Sequence, residues 1–170
     1  MGVLLEDGTF ADTAFDVGGT RFVGHRAILA AHSEYFCRMF TSAWREAEGG
    51  ALITVGETTP AALRCMLRYL YTDHLTLDDE LVIDVLRKAK EWQLERAYHL
   101  AMLHCARRTG IGNAVRWLVR AHASHLDELR TLALAYIRSN FRRIRDEMPS
   151  TLDELKENPD LQHEIMMTAL

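Results

Sequence analysis

The chain has 170 residues, 48% of them hydrophobic and 26% charged, which is the composition of a folded domain or two small ones and excludes a disordered segment. A globular chain of this length buries about 68–70% of the surface its unfolded form exposes, so a core forms without covalent staples. Twenty Lys and Arg against 24 Asp and Glu give a formal net charge of −4, which excludes a global cationic footprint for nucleic acid.

Cys37, Cys65 and Cys105 make neither a disulfide framework nor a CxxC metal pair, which points to the reducing conditions of cytosol or nucleus. No apolar run approaches the about 18 residues of a membrane-spanning helix, and the start lacks the regions of a signal peptide. A soluble, unexported chain with no membrane partner is expected. Met1-Gly2 would suit myristoylation, but Glu6 stands where Ser or Thr is required, and Thr168-Ala169-Leu170 is no peroxisomal signal.

Phe15-Asp16-Val17 and Thr20-Arg21-Phe22-Val23 flank Gly18-Gly19, a two-residue turn that supplies positive φ, so the chain opens on a β-hairpin. From His25 to Phe40 the spacing of Ile28, Leu29, Tyr35, Phe36, Met39 and Phe40 becomes helical, with Ser33 placed to cap the second of two short helices. Leu52-Ile53-Thr54-Val55 between Gly50 and Gly56 predicts a third strand. Thr59-Pro60 then provides a cap and an N1 proline ahead of Leu63, Met66, Leu67 and Leu70, an i, i+3, i+4, i+7 face.

Leu81, Val82, Val85, Leu86 and Ala89 repeat this period behind Asp78-Asp79-Glu80, and Leu94 to Cys105 does so again. After a boundary at Thr109-Gly110-Ile111-Gly112, Ala114 to His122 and Leu126 to Asn140 predict a second helical pair, followed by a shorter tail punctuated by Pro149 and Pro159. No repeat of 20–50 residues is present, which excludes solenoids and propellers.

The stretch from Phe15 through His25-Arg26-Ala27-Ile28-Leu29 to Ser33-Glu34-Tyr35-Phe36 resembles the opening of a BTB/POZ domain. The resemblance continues through Met39-Phe40, Leu52 to Val55, Pro60 onward and Tyr69-Leu70-Tyr71-Thr72-Asp73, covering about Thr13 to Arg108. Gly112 to Val115, Ala121 to Leu129 and Ala135-Tyr136-Ile137 are similar to a BACK-type helical extension, and the speckle-type POZ group is the most similar subfamily. Val17 to Phe22 is also similar to the potassium-channel tetramerisation domain, but that branch lacks the His25-to-Phe36 helix signature. The resemblance implies an α/β (α+β) fold: a BTB/POZ domain at 11–108, with a small sheet of three or more strands packed by helices, then an all-helical BACK-like extension at 109–170.

The resemblance also implies function. BTB domains that recruit cullin-3 carry a hydrophobic-x-Glu motif where Trp44-Arg45-Glu46 stands here. An aromatic seated in an apolar groove supplies affinity, and a carboxylate two residues on supplies register. Met39, Phe40, Tyr71 and His74 are expected to add adjoining surface for the cullin-3 N-terminal domain. Trp44 could instead fold back on its own core, and its place within the matched domain favours docking. Homodimerisation is expected through the N-terminal segment and first helix, with Phe10, Phe15, Ile28 and Leu29 as candidates; adjacent helical residues point about 100° apart, so at least one of Ile28 and Leu29 is core.

The His122-x-x-His125 pair and His99 with His104-Cys105 lack a convincing metal-ligand set, and no nucleophile elbow, P-loop or paired-carboxylate arrangement is present. No cofactor and no catalysis are expected. Arg138, Arg142, Arg143 and Arg145 make a local basic stripe, diluted by Asp146, Glu147, Asp153 and Glu154, which suits a helix C-terminus better than nucleic acid. Trp92 and Trp117 are expected in the core. The sequence therefore predicts a non-catalytic, dimeric cullin-3 adaptor for an unidentified protein substrate, cytoplasmic or nuclear, with a cullin-independent scaffold for transcriptional or cytoskeletal assembly as the alternative.

Overall fold

The computed structural model describes residues 2–42, 50 and 52–169. Alternation of apolar and polar residues on either side of Gly18-Gly19 produces β1 (Thr13–Val17) and β2 (Thr20–Gly24), paired antiparallel with Phe15 opposite Phe22. Gly18 and Gly19 take φ of +55° and +83°, the left-handed pair that matches the twist of the flanking strands. β3 (Leu52–Thr54) lies parallel to β1, giving the order β2-β1-β3.

Between β2 and β3 run α2 (Arg26–His32) and α3 (Glu34–Thr41). Ser33 ends the first and caps the second, its Oγ accepting the Phe36 N–H at 3.4 Å. After β3 come α4 (Pro60–Thr72), capped by Thr59 Oγ1 on the Ala62 N–H, α5 (Val82–Glu91) and α6 (Glu95–Arg108). Asp78 ties the turn that leads into α5, its Oδ1 accepting the N–H groups of Glu80 and Leu81. One element without a sequence signal precedes the hairpin: α1 (Gly2–Asp7) is too short to show a helical period.

The chain divides into two compact units, Met1–Ala101 and Met102–Leu170. In the first, Phe15, Leu29, Phe36, Leu63, Met66 and Trp92 are at most 1% exposed. Phe36 meets the Trp92 ring edge-on at 4.8 Å, and Ser33 Oγ donates to the Trp92 carbonyl at 3.0 Å. The second contains α7 (Ala114–Ala123), α8 (Asp127–Glu147), a 3-10 helix (Pro149–Leu155) and α9 (Pro159–Ala169). α8 runs past the predicted end at Asn140 because Ile144, seven residues after buried Ile137, is itself fully buried. Arg143 and Glu147 add an i,i+4 ion pair at 3.1 Å. In α9, Leu161 and Ile165 are buried, so the tail is a packed helix.

Candidate protein-interaction site

α3 carries two apolar stripes. Phe36 points inward, and Phe40 stacks on it at 5.8 Å while the Arg26 guanidinium lies 4.9 Å over the Phe40 ring and donates to the Phe40 carbonyl. Phe40 thereby closes the end of the core. The second stripe, Tyr35, Arg38, Met39 and Ser42, follows the i, i+3, i+4, i+7 spacing of one helix face and lines a groove of about 330 Å³ with Gln93. Arg38 Nη2 donates to Gln93 Oε1 at 2.5 Å and lies 3.6 Å from Glu34, so polar groups border a patch offered by Tyr35 and Met39. Gln93 sits at φ +55° in the turn between α5 and α6, which sets its side chain across from α3.

Of the residues predicted to form a cullin surface, the groove includes Met39. His74 is exposed in the turn after α4, its Nδ1 2.8 Å from the Thr72 carbonyl. Tyr71 is a correction: it is 3% exposed, and its hydroxyl is hydrogen-bonded at 2.7 Å to His25 Nδ1, so it supports the fold and offers no surface. Burial pushes its phenol above the ordinary 10.0, despite the opposing hydrogen bond from the His25 backbone. Trp44 and Glu46 lie outside the described residues.

The dimer candidates separate in the same way. Phe15 and Leu29 are fully buried within the protomer, which corrects their expected place at a partner surface: Phe15 sits on the inner face of β1 and packs on Phe36 at 5.9 Å. Ile28, a 100° step from Leu29, is half-buried, and Phe10 is 87% exposed at φ +62°. Sequence reasoning missed Tyr35, Arg38, Ser42 and Gln93. The doubled pairs Tyr35-Phe36 and Met39-Phe40 signal two stripes on α3, whereas nothing local marks Gln93. Among the described residues no three His, Cys, Asp or Glu side chains gather to hold a metal ion, and no helix is long and apolar enough to cross a membrane.

The hairpin, the capped α2–α3 pair, the parallel third strand and the helices that follow match a known family: the model of the BTB/POZ domain fits residues 1–107. The chain belongs to the BTB/POZ domain family. It is 24% identical over 98% of its length to BTB/POZ and MATH domain-containing protein 6 of Arabidopsis thaliana, and 28% identical over 98% to the influenza virus NS1A-binding protein homolog of Mus musculus. It spans 44% and 25% of those proteins. BTB/POZ domain-containing protein 9 of Rattus norvegicus is 37% identical over 54% of the chain. Among solved structures, the BTB domain of zebrafish PATZ1 superposes with a TM-score of 0.52 at 25% identity, covering 59% of this chain and 80% of that one. The BTB/POZ region, an α+β fold with a small three-stranded sheet, is followed by further helices. BTB domains serve protein–protein interaction and commonly dimerise.

Proposed function

We propose that this chain is a dimeric adaptor that recruits the N-terminal domain of cullin-3 into a cullin-RING ubiquitin ligase, with the substrate bound elsewhere and no chemistry done by the adaptor. The observation that supports this reading is the groove at the end of α3. Tyr35 and Met39 present an apolar patch bordered by Arg38 and Gln93, and Trp44-Arg45-Glu46 follows that helix in the sequence. An apolar wall with a polar border suits an amphipathic helix laid into a groove. His74 and Phe40 complete the proposed surface.

Dimerisation through Phe10 and Ile28 would make the adaptor two-fold, presenting two cullin arms and gaining avidity for multivalent substrates. Residues 109–170 act in this proposal as a BACK-like extension of the speckle-type POZ kind, a reading supported by the likeness of almost the whole chain to a BTB/POZ and MATH domain protein. Ubiquitin transfer is then accelerated by proximity, because a tethered donor and acceptor meet as one molecule. The proposal carries with it a cytoplasmic or nuclear location.

Calorimetric titration with the cullin-3 N-terminal domain tests it. Binding of one cullin per protomer is expected, together with its loss in the Trp44→Ala, Glu46→Ala double variant of unchanged circular dichroism. Absence of binding by the folded wild-type chain overturns the reading in favour of a cullin-independent dimerisation scaffold.

A further inference from the structure

On a different face of the first unit, α1, β2 and α4 enclose a cleft of about 520 Å³. Arg21, Phe22 and Val23, three consecutive residues of β2, all line it. Successive side chains of a strand point to opposite faces of the sheet, so a cleft touching three in a row must wrap the strand's edge. β2 is an outer strand. The Asp16 carbonyl accepts the Val55 N–H at 2.9 Å on the β3 side, which makes Asp16–Arg21 a pair not hydrogen-bonded to each other. By the alternation of an antiparallel ladder, Arg21 and Val23 therefore turn their backbone N–H and C=O groups away from β1, to the open edge.

The same cleft is cationic. Arg64 and Arg68, four residues apart on α4, share a face with Leu67 in the floor, and the Arg64 guanidinium lies 5.6 Å over the Phe22 ring. Arg21, Arg64 and Arg68 are exposed, and among the described residues none of them makes an ion pair. The lining contains one carboxylate, Glu6. Some exposed arginines elsewhere on this net-acidic chain are ion-paired, among them Arg38 with Glu34 and Arg143 with Glu147, whereas here three without an ion pair among the described residues line one cleft.

We propose that the open edge of β2, with Arg21, Arg64 and Arg68, is a docking site for an extended, acidic peptide segment of a partner protein. The edge supplies main-chain hydrogen bonds to an added strand. The guanidiniums take its carboxylates in two-pronged hydrogen bonds, and the half-buried Phe22 and Val23 accept its apolar side chains. A single-stranded nucleic acid fits less well, because the Phe22 face on which a base would stack is already covered by Arg64. The site is independent of the cullin reading and shares no residue with it.

Fluorescence anisotropy of the full chain with a labelled peptide of alternating Glu and Val tests the site. Saturable binding is expected that weakens with added salt and falls about tenfold in Arg64→Glu, Arg68→Glu; both side chains are exposed, and circular dichroism verifies that the variant folds. The charge-reversed variant should in turn bind a peptide of alternating Lys and Val. The Glu-Val peptide with alternate backbone amides methylated should lose binding, because it cannot pair with β2. The proposal is overturned by absence of saturable binding, by equal affinity for wild type and variant, by equal affinity of the methylated peptide, or by tighter capture of an oligothymidine than of the peptide. No binding at all would leave Arg21 as a charge that merely keeps the edge from pairing with other chains.

Discussion

Tyr71 and His25 hold the end of α4 to the start of α2 through one hydroxyl group. The Tyr71 oxygen accepts the His25 backbone N–H at 2.8 Å and lies 2.7 Å from His25 Nδ1, while Nε2 of the same ring is 2.7 Å from the Thr9 carbonyl. A carbonyl can only accept, so Nε2–H donates to it, and in the neutral ring Nδ1 accepts a hydrogen bond from the phenol O–H. Three segments distant in sequence, the loop after α1, the entry to α2 and the last turn of α4, thus meet at a single imidazole.

Tyr71→Phe keeps the ring and removes the oxygen, leaving the buried His25 N–H without an acceptor. A loss of about 1–3 kcal/mol is expected, read as a lower urea midpoint at unchanged slope.

Burial raises the phenols of Tyr71 and Tyr69 above their ordinary 10.0 and the Cys65 thiol above 9.0. As pH rises past those ordinary values the unfolded chain gives up these protons first, so the folded state binds more of them. Stability must then fall with pH. Urea midpoints measured at about pH 8 and about pH 10.5 should show this alkaline decline, and it should be shallower in Tyr71→Phe than in wild type.

Two helix caps give a graded comparison. Thr59→Ala removes a cap contact to Ala62 alone and should cost about 0.5–2 kcal/mol. Ser33→Ala removes the cap of α3 and also the bond to the Trp92 carbonyl, 59 residues away in sequence. It should cost more, by about 1 kcal/mol, in parallel denaturant titrations.

Met39→Asp places a charge on the groove at a half-buried position. With the fold verified by circular dichroism, affinity for the cullin-3 N-terminal domain should drop by about tenfold or more, the cost of a carboxylate desolvated at an apolar contact.

Local chemistry was legible in the sequence. Gly18-Gly19 specified the hairpin, Ser33 and Thr59 specified helix starts, and the spacing of Leu63, Met66, Leu67 and Leu70 specified the buried face of α4. What escaped was decided at a distance. Whether Phe15, Leu29 or Tyr71 faces in or out depends on Phe36 and His25, which no local period contains. Gln93 reaches the α3 groove only because the α5–α6 turn takes a left-handed residue. The parallel placement of β3 likewise depends on the α2–α3 pair that carries the chain back, and the strand's own residues do not encode it.

Each compact unit encloses its own tryptophan: Trp92 against Phe36 in the first, and Trp117, fully buried with its indole N–H lacking an acceptor, in the second. With Trp44 and one of these replaced by Phe, the remaining indole becomes a private optical reporter, emitting at short wavelength while its own half stays dry. Coincident emission curves in the two single-tryptophan proteins would mean the halves melt as one cooperative block, and separated curves would give each half its own free energy of unfolding.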